Sequence, residues 1–428
     1  MPRRFRQTLH RLFARGSLLL SASVMIGCHE AEPTAPADPT APADRTVAVA
    51  VSRSQLSLLT GGVARITAYA YDAAGRIVTA SFSWSSADPT VASAENGGVI
   101  TARSAGSTRV TATTGSHTAT VEVLVAPLNS LEGAIAFTRV TESSFDVLVY
   151  SFSDGIPQSL PRAADIARIT SPAWSPDGRF MAVEVVRGCV SMGEDGRECE
   201  TDVYTLFLAA PLLAWRELTA NGRSRSPSWS PDGARIAYVG PVTGSSDSHI
   251  YLVDAVGGEP VRLTPTEGQY GAPRWSPDGT RLAFYDGRFG NGDIFIISAD
   301  GTGLVNFSRN AAFDGDASWS PDGLRLAFIS DRESSSGDYR RDVFIADTDG
   351  SNLARVTGGD WNSGPVWSPD GRHIAFSARS NNVSGVFLAD IGGSFLLRLT
   401  SASPDGWDGA PAWRRTVVDV TPAGTAGR

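Results

Sequence analysis

Few residues in this chain could carry catalysis. His10, His29 and His117 precede the second half of the chain, and His249 and His373 lie far apart within it. A Ser-His-Asp triad or a multi-histidine metal site needs converging side chains, which this spacing makes hard to assemble. Neither Gly-x-Ser-x-Gly nor His-Glu-x-x-His occurs. All 37 basic residues are arginine, which excludes lysine Schiff-base and general-base chemistry. The sequence therefore favours binding over catalysis.

Aromatic and charged residues gather in short segments that precede a series of tryptophans. The candidates are Arg223, Arg225, Gln269, Tyr270, Phe313, Asp314, Asp316, Trp361, Asn362, Trp407 and Asp408. If these segments meet at one opening, their composition is typical of a binding funnel. Asp-Gly and Trp-Asp-Gly are also good turn sequences, so ordinary turns remain the alternative.

Two acidic segments have the carboxylate spacing of a calcium loop. One is Asp347-Thr348-Asp349-Gly350-Ser351-Asn352, and the other runs from Asp286 to Asp293 with Asn291 between them. The places equivalent to the first in neighbouring repeats, such as Asp300-Gly301-Thr302-Gly303, have the composition of hairpin turns. We therefore predict no metal and no cofactor, with structural calcium as the alternative.

The tryptophans belong to an internal repeat that predicts the fold. Trp-Ser-Pro-Asp-Gly begins at Trp174, Trp229, Trp275, Trp319 and Trp367, which is about one copy per four-stranded propeller blade. Proline fixes φ, aspartate accepts turn hydrogen bonds and glycine takes a left-handed conformation, so each copy predicts a tight hairpin turn. Three further apolar strands follow each turn, and the tryptophan should fill the gap between neighbouring sheets.

These residues resemble the TolB-type, WD40-like β-propeller repeat, and the resemblance covers residues 131–415. In that family the tryptophan strands are innermost, which would place the candidate segments around one end of a central channel. Strands near Ile135, Leu148 and Ser159 form a unit without its tryptophan strand, and Trp413 ends a tryptophan strand without a following unit. Paired together they complete a sixth blade and close the ring without open edges.

A β-sandwich precedes the propeller. Residues 45–126 alternate apolar and polar residues in short runs separated by turn residues. Asp72-Ala73-Ala74-Gly75, the stretch from Phe82 to Ala92 and Gly97-Gly98-Val99-Ile100-Thr101-Ala102 resemble the bacterial Ig-like domain of group 2. The fold class is therefore all-β. That family commonly serves as a spacer or adhesive module, and Trp84 is expected in its core.

The N-terminus has the features of an export signal. Residues 1–27 hold five arginines, an apolar run and no acid. Met25-Ile26-Gly27-Cys28 resembles the lipobox of bacterial lipoproteins, which implies lipidation of Cys28; a plain secreted protein is the alternative. Residues 28–44 are rich in proline and alanine and predict an extended tether. Residues 416–428 form a C-terminal tail.

Charge and cysteine content limit the partners and the compartment. Removal of residues 1–27 leaves 32 basic and 45 acidic residues, a net charge of -13, so nucleic acid and acidic phospholipids are poor partners. Cys189 and Cys199 should form a disulfide in an oxidising compartment, with a metal site as the alternative.

The sequence predicts a lipid-anchored protein of the outer membrane or cell surface, with a periplasm-facing position also open. It should be monomeric and non-enzymatic, and its propeller should bind an envelope protein or a glycan. The alternatives are a polysaccharide-degrading enzyme of the oligogalacturonate-lyase type, which would need a histidine-rich metal cluster, and an adhesin acting through the Ig-like domain.

Overall fold

The computed structural model describes residues 46–141, 144–162, 166, 168–191, 197–208, 214–242, 245, 247–266, 268–288, 291–334, 340–358, 361–380, 383–400 and 406–414. The predicted signal peptide (1–27), the lipidation site Cys28, the tether (28–44) and the tail (416–428) lie outside these residues. The described chain is built of β-strands with one short 3₁₀ turn, which confirms the all-β prediction. Within it, no helix has the length and apolar character needed to cross a membrane.

Residues 46–126 form a β-sandwich whose strands alternate between buried and exposed side chains. The strands are β1 (Ala48–Val51), β2 (Gln55–Leu59), β3 (Val63–Arg65), β4 (Ala68–Tyr71), β5 (Ile77–Val78), β6 (Ser83–Ser86), β7 (Ala92–Glu95), β8 (Val99–Ala102), β9 (Gly106–Thr114) and β10 (His117–Ala126). One sheet has the order β2-β10-β9-β6, and β2 runs parallel to β10. The 3₁₀ turn at Leu128–Ser130 leads into the second domain.

The second domain consists of four-stranded antiparallel sheets arranged as propeller blades. Its strands are β11 (Ala134–Val140), β12 (Phe145–Ser151), β13 (Pro157–Ser159), β14 (Arg168–Trp174), β15 (Phe180–Ser191), β16 (Arg197–Phe207), β17 (Ala214–Glu217), β18 (Arg225–Trp229), β19 (Arg235–Pro241), β20 (Ser248–Asp254), β21 (Val261–Arg262), β22 (Tyr270–Trp275), β23 (Arg281–Asp286), β24 (Asp293–Ser298), β25 (Val305–Asn306), β26 (Asp314–Trp319), β27 (Arg325–Ser330), β28 (Asp342–Asp347), β29 (Ala354–Arg355), β30 (Trp361–Trp367), β31 (His373–Ser380), β32 (Val383–Asp390), β33 (Leu396–Arg398) and β34 (Trp407–Trp413). Five blades use four consecutive strands each, beginning at β14, β18, β22, β26 and β30.

The last strand closes the ring as the sequence predicted. The remaining sheet has the order β13-β12-β11-β34, so the C-terminal strand pairs with the first strand of the domain. Trp413 lies opposite Ile135, and the Arg414 N–H donates to the Ala134 carbonyl at 2.8 Å. Closure therefore joins the two ends of the domain by main-chain hydrogen bonds.

The Ser-Pro-Asp-Gly turns are held by the side chains that define the repeat. In the third copy the Ser276 hydroxyl donates to the Asp278 carboxylate at 2.5 Å and accepts from the Arg281 N–H at 2.9 Å. The glycine, Gly279, has a left-handed φ of 71°. The other four copies make the same serine-aspartate bond. The repeat thus specifies a hairpin through its own hydrogen bonds.

We expect Ser276→Ala to lower the free energy of unfolding by about 1–3 kcal/mol at neutral pH, because it leaves the Arg281 N–H without its acceptor.

The effect of Ser276→Ala should also depend on pH, because the hydrogen bond from the Ser276 hydroxyl is the main cause that lowers the pKa of Asp278 below its ordinary value. Stabilisation by such a carboxylate is complete above its unfolded pKa of about 3.9 and is lost as the pH falls through the lowered value. The deficit of the variant should therefore shrink in acid. Urea unfolding at neutral and acidic pH measures it, with the exposed Ser57→Ala as control; a deficit that grows in acid would contradict the argument.

The repeat tryptophans join neighbouring blades, as predicted. The indole N–H groups of Trp174, Trp319 and Trp367 donate to carbonyls of the preceding tryptophan strand, each at 3.1 Å. Arg281 of one blade also lies over the ring of Trp319 in the next, 4.7 Å from its centroid. Such cation–π contacts contribute about 0.5–1 kcal/mol at exposed sites.

The Ig-like domain packs on the blade formed by β30 to β33. Val63 of β3 pairs with Leu396 of β33, which extends the blade into a seven-stranded sheet. Phe395 and Leu397 belong to the same apolar cluster as Leu59 of the Ig-like domain. A spacer separated from the propeller would not share a core with it.

The two cysteines that we expect to form a disulfide lie on one long hairpin. Cys189 of β15 is the cross-strand partner of Cys199 of β16. Directly opposed residues of an antiparallel pair have Cα atoms about 4.5–5.5 Å apart, which is within the range that a disulfide spans. The register is therefore compatible with the disulfide, which stays a prediction.

Candidate functional site

The tryptophan strands are innermost and surround a central channel. A cavity of about 470 Å³ is lined by residues of β14, β18, β22, β26, β30 and β34, which we call the inner strands. Each inner strand begins at one end of the channel and ends in a tryptophan at the other. We call the first end, defined by Arg168, Arg223, Gln269, Phe313, Trp361 and Trp407, the mouth. The Ser-Pro-Asp-Gly turns lie at the opposite end, the rear pole. The cavity reaches these turns, since Ser175, Pro176, Pro231, Ser276 and Pro277 line it, and of the residues that define the mouth only Trp407 does.

A ring of left-handed residues lines the channel, one from each inner strand. The residues are Ser171, Ser226, Ala272, Asp316, Gly364 and Ala410, with φ between 46° and 55°. In each inner strand the pairing register shifts across this residue. Left-handed conformations are strained for residues with a Cβ, and bulges of this kind redirect side chains near functional sites.

Side chains near the mouth alternate between the channel and the space between blades. Phe313 and Gly315 share one face, because a Cβ at Gly315 would lie 2.9 Å from the Phe313 ring. In the same way the Trp407 ring covers Gly409. The residue between each such pair, Asp314 or Asp408, points the other way and is fully buried. This is the period-two alternation of any strand.

The structure brings several predicted residues together at the mouth. Trp361 and Trp407 are 53% and 37% exposed, which is unusual for tryptophan. Arg223 and Arg225 are exposed on the neighbouring part of the ring, together with Gln269. Phe313 is half-buried there, and Asp316 lies deeper, where it accepts the Gly364 N–H at 3.0 Å.

Four other predicted residues do not reach the opening. Tyr270, Asp314, Asn362 and Asp408 occupy the buried position between the two mouth-facing ones. The Tyr270 hydroxyl donates to the Thr266 carbonyl, and the Asn362 amide donates to the Arg341 carbonyl. Arg332 pairs with Asp314, and Arg139 pairs with Asp408. The sequence-based placement of these four in the funnel is corrected: strand alternation turns them into the contacts between blades.

Two charged residues near the channel were not singled out from the sequence. Arg274 lines the cavity, and burial lowers the pKa of its guanidinium, which the nearby Asp316 carboxylate opposes. Burial raises the pKa of Glu184, against the stabilising Ser226 N–H and Ser171 hydroxyl. Arg274 directly precedes Trp275, where other copies have alanine, serine or valine. This departure from the repeat was the available signal.

Both predicted calcium segments use their described carboxylates internally. Asp347 accepts from the Asn352 amide, and Asp349 accepts from the Ser351 N–H at 2.8 Å, which gives a hairpin turn. Asp286 pairs with Arg288, and Asp293 accepts from the Ser308 hydroxyl at 2.9 Å. Within the described ranges, no group of three or more histidine, cysteine or acidic side chains could hold a metal ion.

The propeller histidines lie at different poles. His249 is buried at the start of β20, and its Nδ1 is 2.9 Å from the Thr264 hydroxyl. His373 begins β31 beside a rear-pole turn. Burial lowers the pKa of His373, and the nearby Asp370 and Asp390 carboxylates oppose this effect. The two rings are therefore not brought together.

Comparisons with solved structures show the same fold in proteins of different kinds. TolB from Acinetobacter baumannii superposes with a TM-score of 0.55 at 20% identity, over 72% of this chain and 80% of that one. Hydrazine synthase from Kuenenia stuttgartiensis gives 0.53 at 14% identity, over 67% of this chain and 47% of that one. A chain of a nidogen/laminin complex gives 0.50 at 10% identity, over 66% of this chain and 98% of that one. At these identities the likeness shows the fold alone.

The sequence itself matches two family models. The model of the TolB β-propeller domain matches residues 218–414, and that of the bacterial Ig-like domain (group 2) matches residues 46–125. No curated protein gives a significant match to the chain. A TolB-like propeller suggests a scaffold for protein interactions. Both resemblances inferred from the sequence are confirmed: the chain contains a group 2 bacterial Ig-like domain followed by a TolB-type β-propeller.

Proposed function

We propose that this chain is a lipid-anchored protein of the cell envelope whose propeller binds another protein, or a glycan, at the mouth. The observation that carries the proposal is the pair of exposed tryptophans, Trp361 and Trp407, at the mouth; Trp407 also lines the cavity of about 470 Å³. Exposed aromatic residues next to a concave opening are typical of binding sites, because they bury large apolar area on association.

The arrangement of the domains supports presentation of the mouth to a partner. Leu396, which pairs with the Ig-like domain, lies opposite Ala389 of the neighbouring strand. Ala389 in turn lies opposite Ile374, and Ile374 lies opposite Trp367, the residue at the rear-pole end of β30. The Ig-like domain thus packs near the rear pole, away from the mouth. An anchor at Cys28, before the Ig-like domain, would leave the mouth accessible.

A capture experiment tests the proposal. We expect the soluble chain, without residues 1–28, to retain one or more envelope components from a solubilised envelope fraction. Trp361→Ala/Trp407→Ala should lose at least about tenfold in affinity for them, since truncation of aromatic anchors typically costs 2 kcal/mol or more. Binding of the isolated component to both chains is then measured by calorimetry.

The matched control is Val261→Ala/Leu324→Ala, which truncates two exposed apolar residues away from the mouth. Leu324 follows a rear-pole turn, so its loss should not alter binding. Retention of every component by the tryptophan variant, at wild-type affinity, would remove the mouth as the binding site. Labelling of the whole protein with a radioactive fatty acid, lost in Cys28→Ala, tests the anchor separately.

A further inference from the structure

We propose that the channel binds a free α-amino acid with an apolar side chain, whose carboxylate contacts Arg274 and whose ammonium group contacts Asp316. The site lies inside the channel, deeper than the mouth, so the inference goes beyond the proposed function and does not depend on it. Its basis is a pair of opposite charges that face one cavity and that both depart from the repeat.

Arg274 and Asp316 interrupt a channel lining that is otherwise uncharged. Among the described residues that line the cavity, they are the only charged ones. Arg274 directly precedes the repeat tryptophan of β22, and Asp316 is the left-handed residue of β26. The place of Arg274 is taken on the other five inner strands by Ala173, Ser228, Ser318, Val366 and Ala412. The place of Asp316 is taken by Ser171, Ser226, Ala272, Gly364 and Ala410.

This comparison within the chain shows that the blade fold needs neither charge. Five inner strands form with a small or apolar residue at the place of Arg274, and five form with serine, alanine or glycine at the place of Asp316. Removing a charge from water costs free energy unless the charge is paired. Two such departures on adjacent inner strands, facing the same cavity, are therefore typical of a binding site rather than of packing.

The two charges are neighbours, but they do not form an ion pair with each other. Burial lowers the pKa of the Arg274 guanidinium, and the Asp316 carboxylate is near enough to oppose this effect. Among the residues that the structure describes, no carboxylate forms an ion pair with Arg274. By contrast, the buried carboxylates of Asp314 and Asp408 each pair directly with an arginine. The channel pair thus keeps a gap that the blade contacts do not have.

Both groups retain hydrogen-bonding capacity toward the cavity. The Arg274 guanidinium donates to the Pro273 carbonyl at 3.0 Å, which uses one of its several N–H donors. One Asp316 carboxylate oxygen accepts the Gly364 N–H at 3.0 Å, and a carboxylate can accept further hydrogen bonds through its second oxygen. Arg274 and Asp316 are both half-buried, so their polar atoms remain accessible from the channel.

A zwitterion complements this pair better than a simple ion does. Arginine binds a carboxylate through two parallel hydrogen bonds, and aspartate accepts hydrogen bonds from an ammonium group. A simple anion on Arg274 would be repelled by Asp316, and a simple cation on Asp316 would be repelled by Arg274. In an α-amino acid both charged groups are attached to the same carbon, so it can contact two neighbouring side chains that do not touch each other.

The opposite wall of the channel suits an apolar side chain. In the ring of six inner strands, β34 lies across from β22, and β14 lies across from β26. Apolar groups gain by leaving water against such surfaces. The cavity of about 470 Å³ also lies within the range of about 300–1,000 Å³ that small-molecule sites occupy. The residues that line it on β34 and β14 include Pro172, Ala173, Ala410, Pro411 and Ala412.

A thermal-shift screen of the standard amino acids against the soluble chain tests the inference. We expect apolar amino acids such as leucine and phenylalanine to raise the Tm, because a ligand that binds only the folded state stabilises it. Calorimetry then compares leucine with 4-methylpentanoate, which lacks the ammonium group, and with 3-methylbutylamine, which lacks the carboxylate. Each analogue should bind at least about tenfold more weakly, since each loses a charged contact.

Two variants assign the charged contacts to their residues. Arg274→Ser installs the residue that β18 and β26 have at this place, and Asp316→Asn keeps an acceptor for the Gly364 N–H. Each should weaken leucine binding at least about tenfold. The matched control is Arg109→Ser, which removes an arginine from the exposed ion pair with Glu122 and should leave the affinity unchanged. Thermal unfolding without ligand checks that each variant is folded.

The outcomes that would overturn the inference are distinct. A screen in which no amino acid raises the Tm, or in which only charged ones do, would contradict the proposed ligand class. Binding of 4-methylpentanoate as tight as that of leucine would show a plain carboxylate site. Wild-type affinity for leucine in Arg274→Ser or Asp316→Asn would remove these residues from the site. The analogue comparison uses the unmodified sequence of the soluble chain, so it decides the matter even if a variant does not fold.

Discussion

Trp413→Ala should destabilise the propeller by about 3–5 kcal/mol, the usual cost of truncating a buried aromatic residue to alanine. Trp413 is 6% exposed, packs 5.2 Å from the Phe152 ring, and donates its indole N–H to the Glu132 carbonyl at 3.1 Å. These contacts lie where the C-terminal strand meets the start of the domain. The loss should therefore weaken ring closure as well as packing. Urea unfolding followed by circular dichroism measures the change.

Trp407→Ala is the matched control on the same strand. Its side chain is the exposed residue at the other end of β34, so its truncation should change the free energy of unfolding by less than about 1 kcal/mol. Proteolysis within β34 should also be faster in Trp413→Ala than in the control, since an open ring releases this strand. Equal stability of the two variants would show that closure does not depend on this packing.

Most of the fold could be predicted because the repeat contains its own structural instructions. Ser276 and Asp278 fix their hairpin by local hydrogen bonds, so five copies of the motif locate five blades without further information. The pairing of the closing strand could be predicted from the incomplete repeat units at the two ends of the domain, since no further unit follows Trp413 and no tryptophan strand precedes Ile135. Local hydrogen bonds and complementary chain ends are both visible in sequence.

The candidate site could be predicted in position but only partly in detail. The segments before the tryptophans do surround the mouth, yet a single strand turns alternate residues in opposite directions. If the intervening bulge had been known, counting alternate residues back from the tryptophan of the inner strand would have placed Asp314 and Asp408 on the buried side. The left-handed residues, Asp316 and Ala410, shift that count by one, and neither of them is a glycine.

Contacts between distant segments were the least predictable part. The pairing of Val63 with Leu396 involves one residue from each strand and has no sequence signature. Arg274 enters the channel because of the ring geometry, and its departure from the repeat was the only local sign of it. Such features arise from tertiary packing, which period and composition do not encode.

The largest electrostatic effect is expected for Arg139→Ala. Arg139 of β11 forms two hydrogen bonds of 2.7 Å with the Asp408 carboxylate of β34, which the Thr400 hydroxyl also contacts at 2.6 Å. Asp408 is 0% exposed, and its hydrogen bonds to Arg139 are the main cause that raises the arginine pKa. Removing the arginine breaks this buried ion pair and leaves Arg398 as the nearby positive charge; breaking a buried pair costs about 3–5 kcal/mol.

A double-mutant cycle distinguishes this ion pair from simple packing. Arg139→Ala/Asp408→Ala removes both charges, so it should be less destabilised than Arg139→Ala alone. Arg109→Ala, which breaks the exposed pair with Glu122, is the control and should cost no more than about 1 kcal/mol. Because Arg139 and Asp408 belong to the first and last strands of the ring, a positive coupling energy in urea unfolding would measure an electrostatic contribution to closure. Additive effects of the two single substitutions would contradict it.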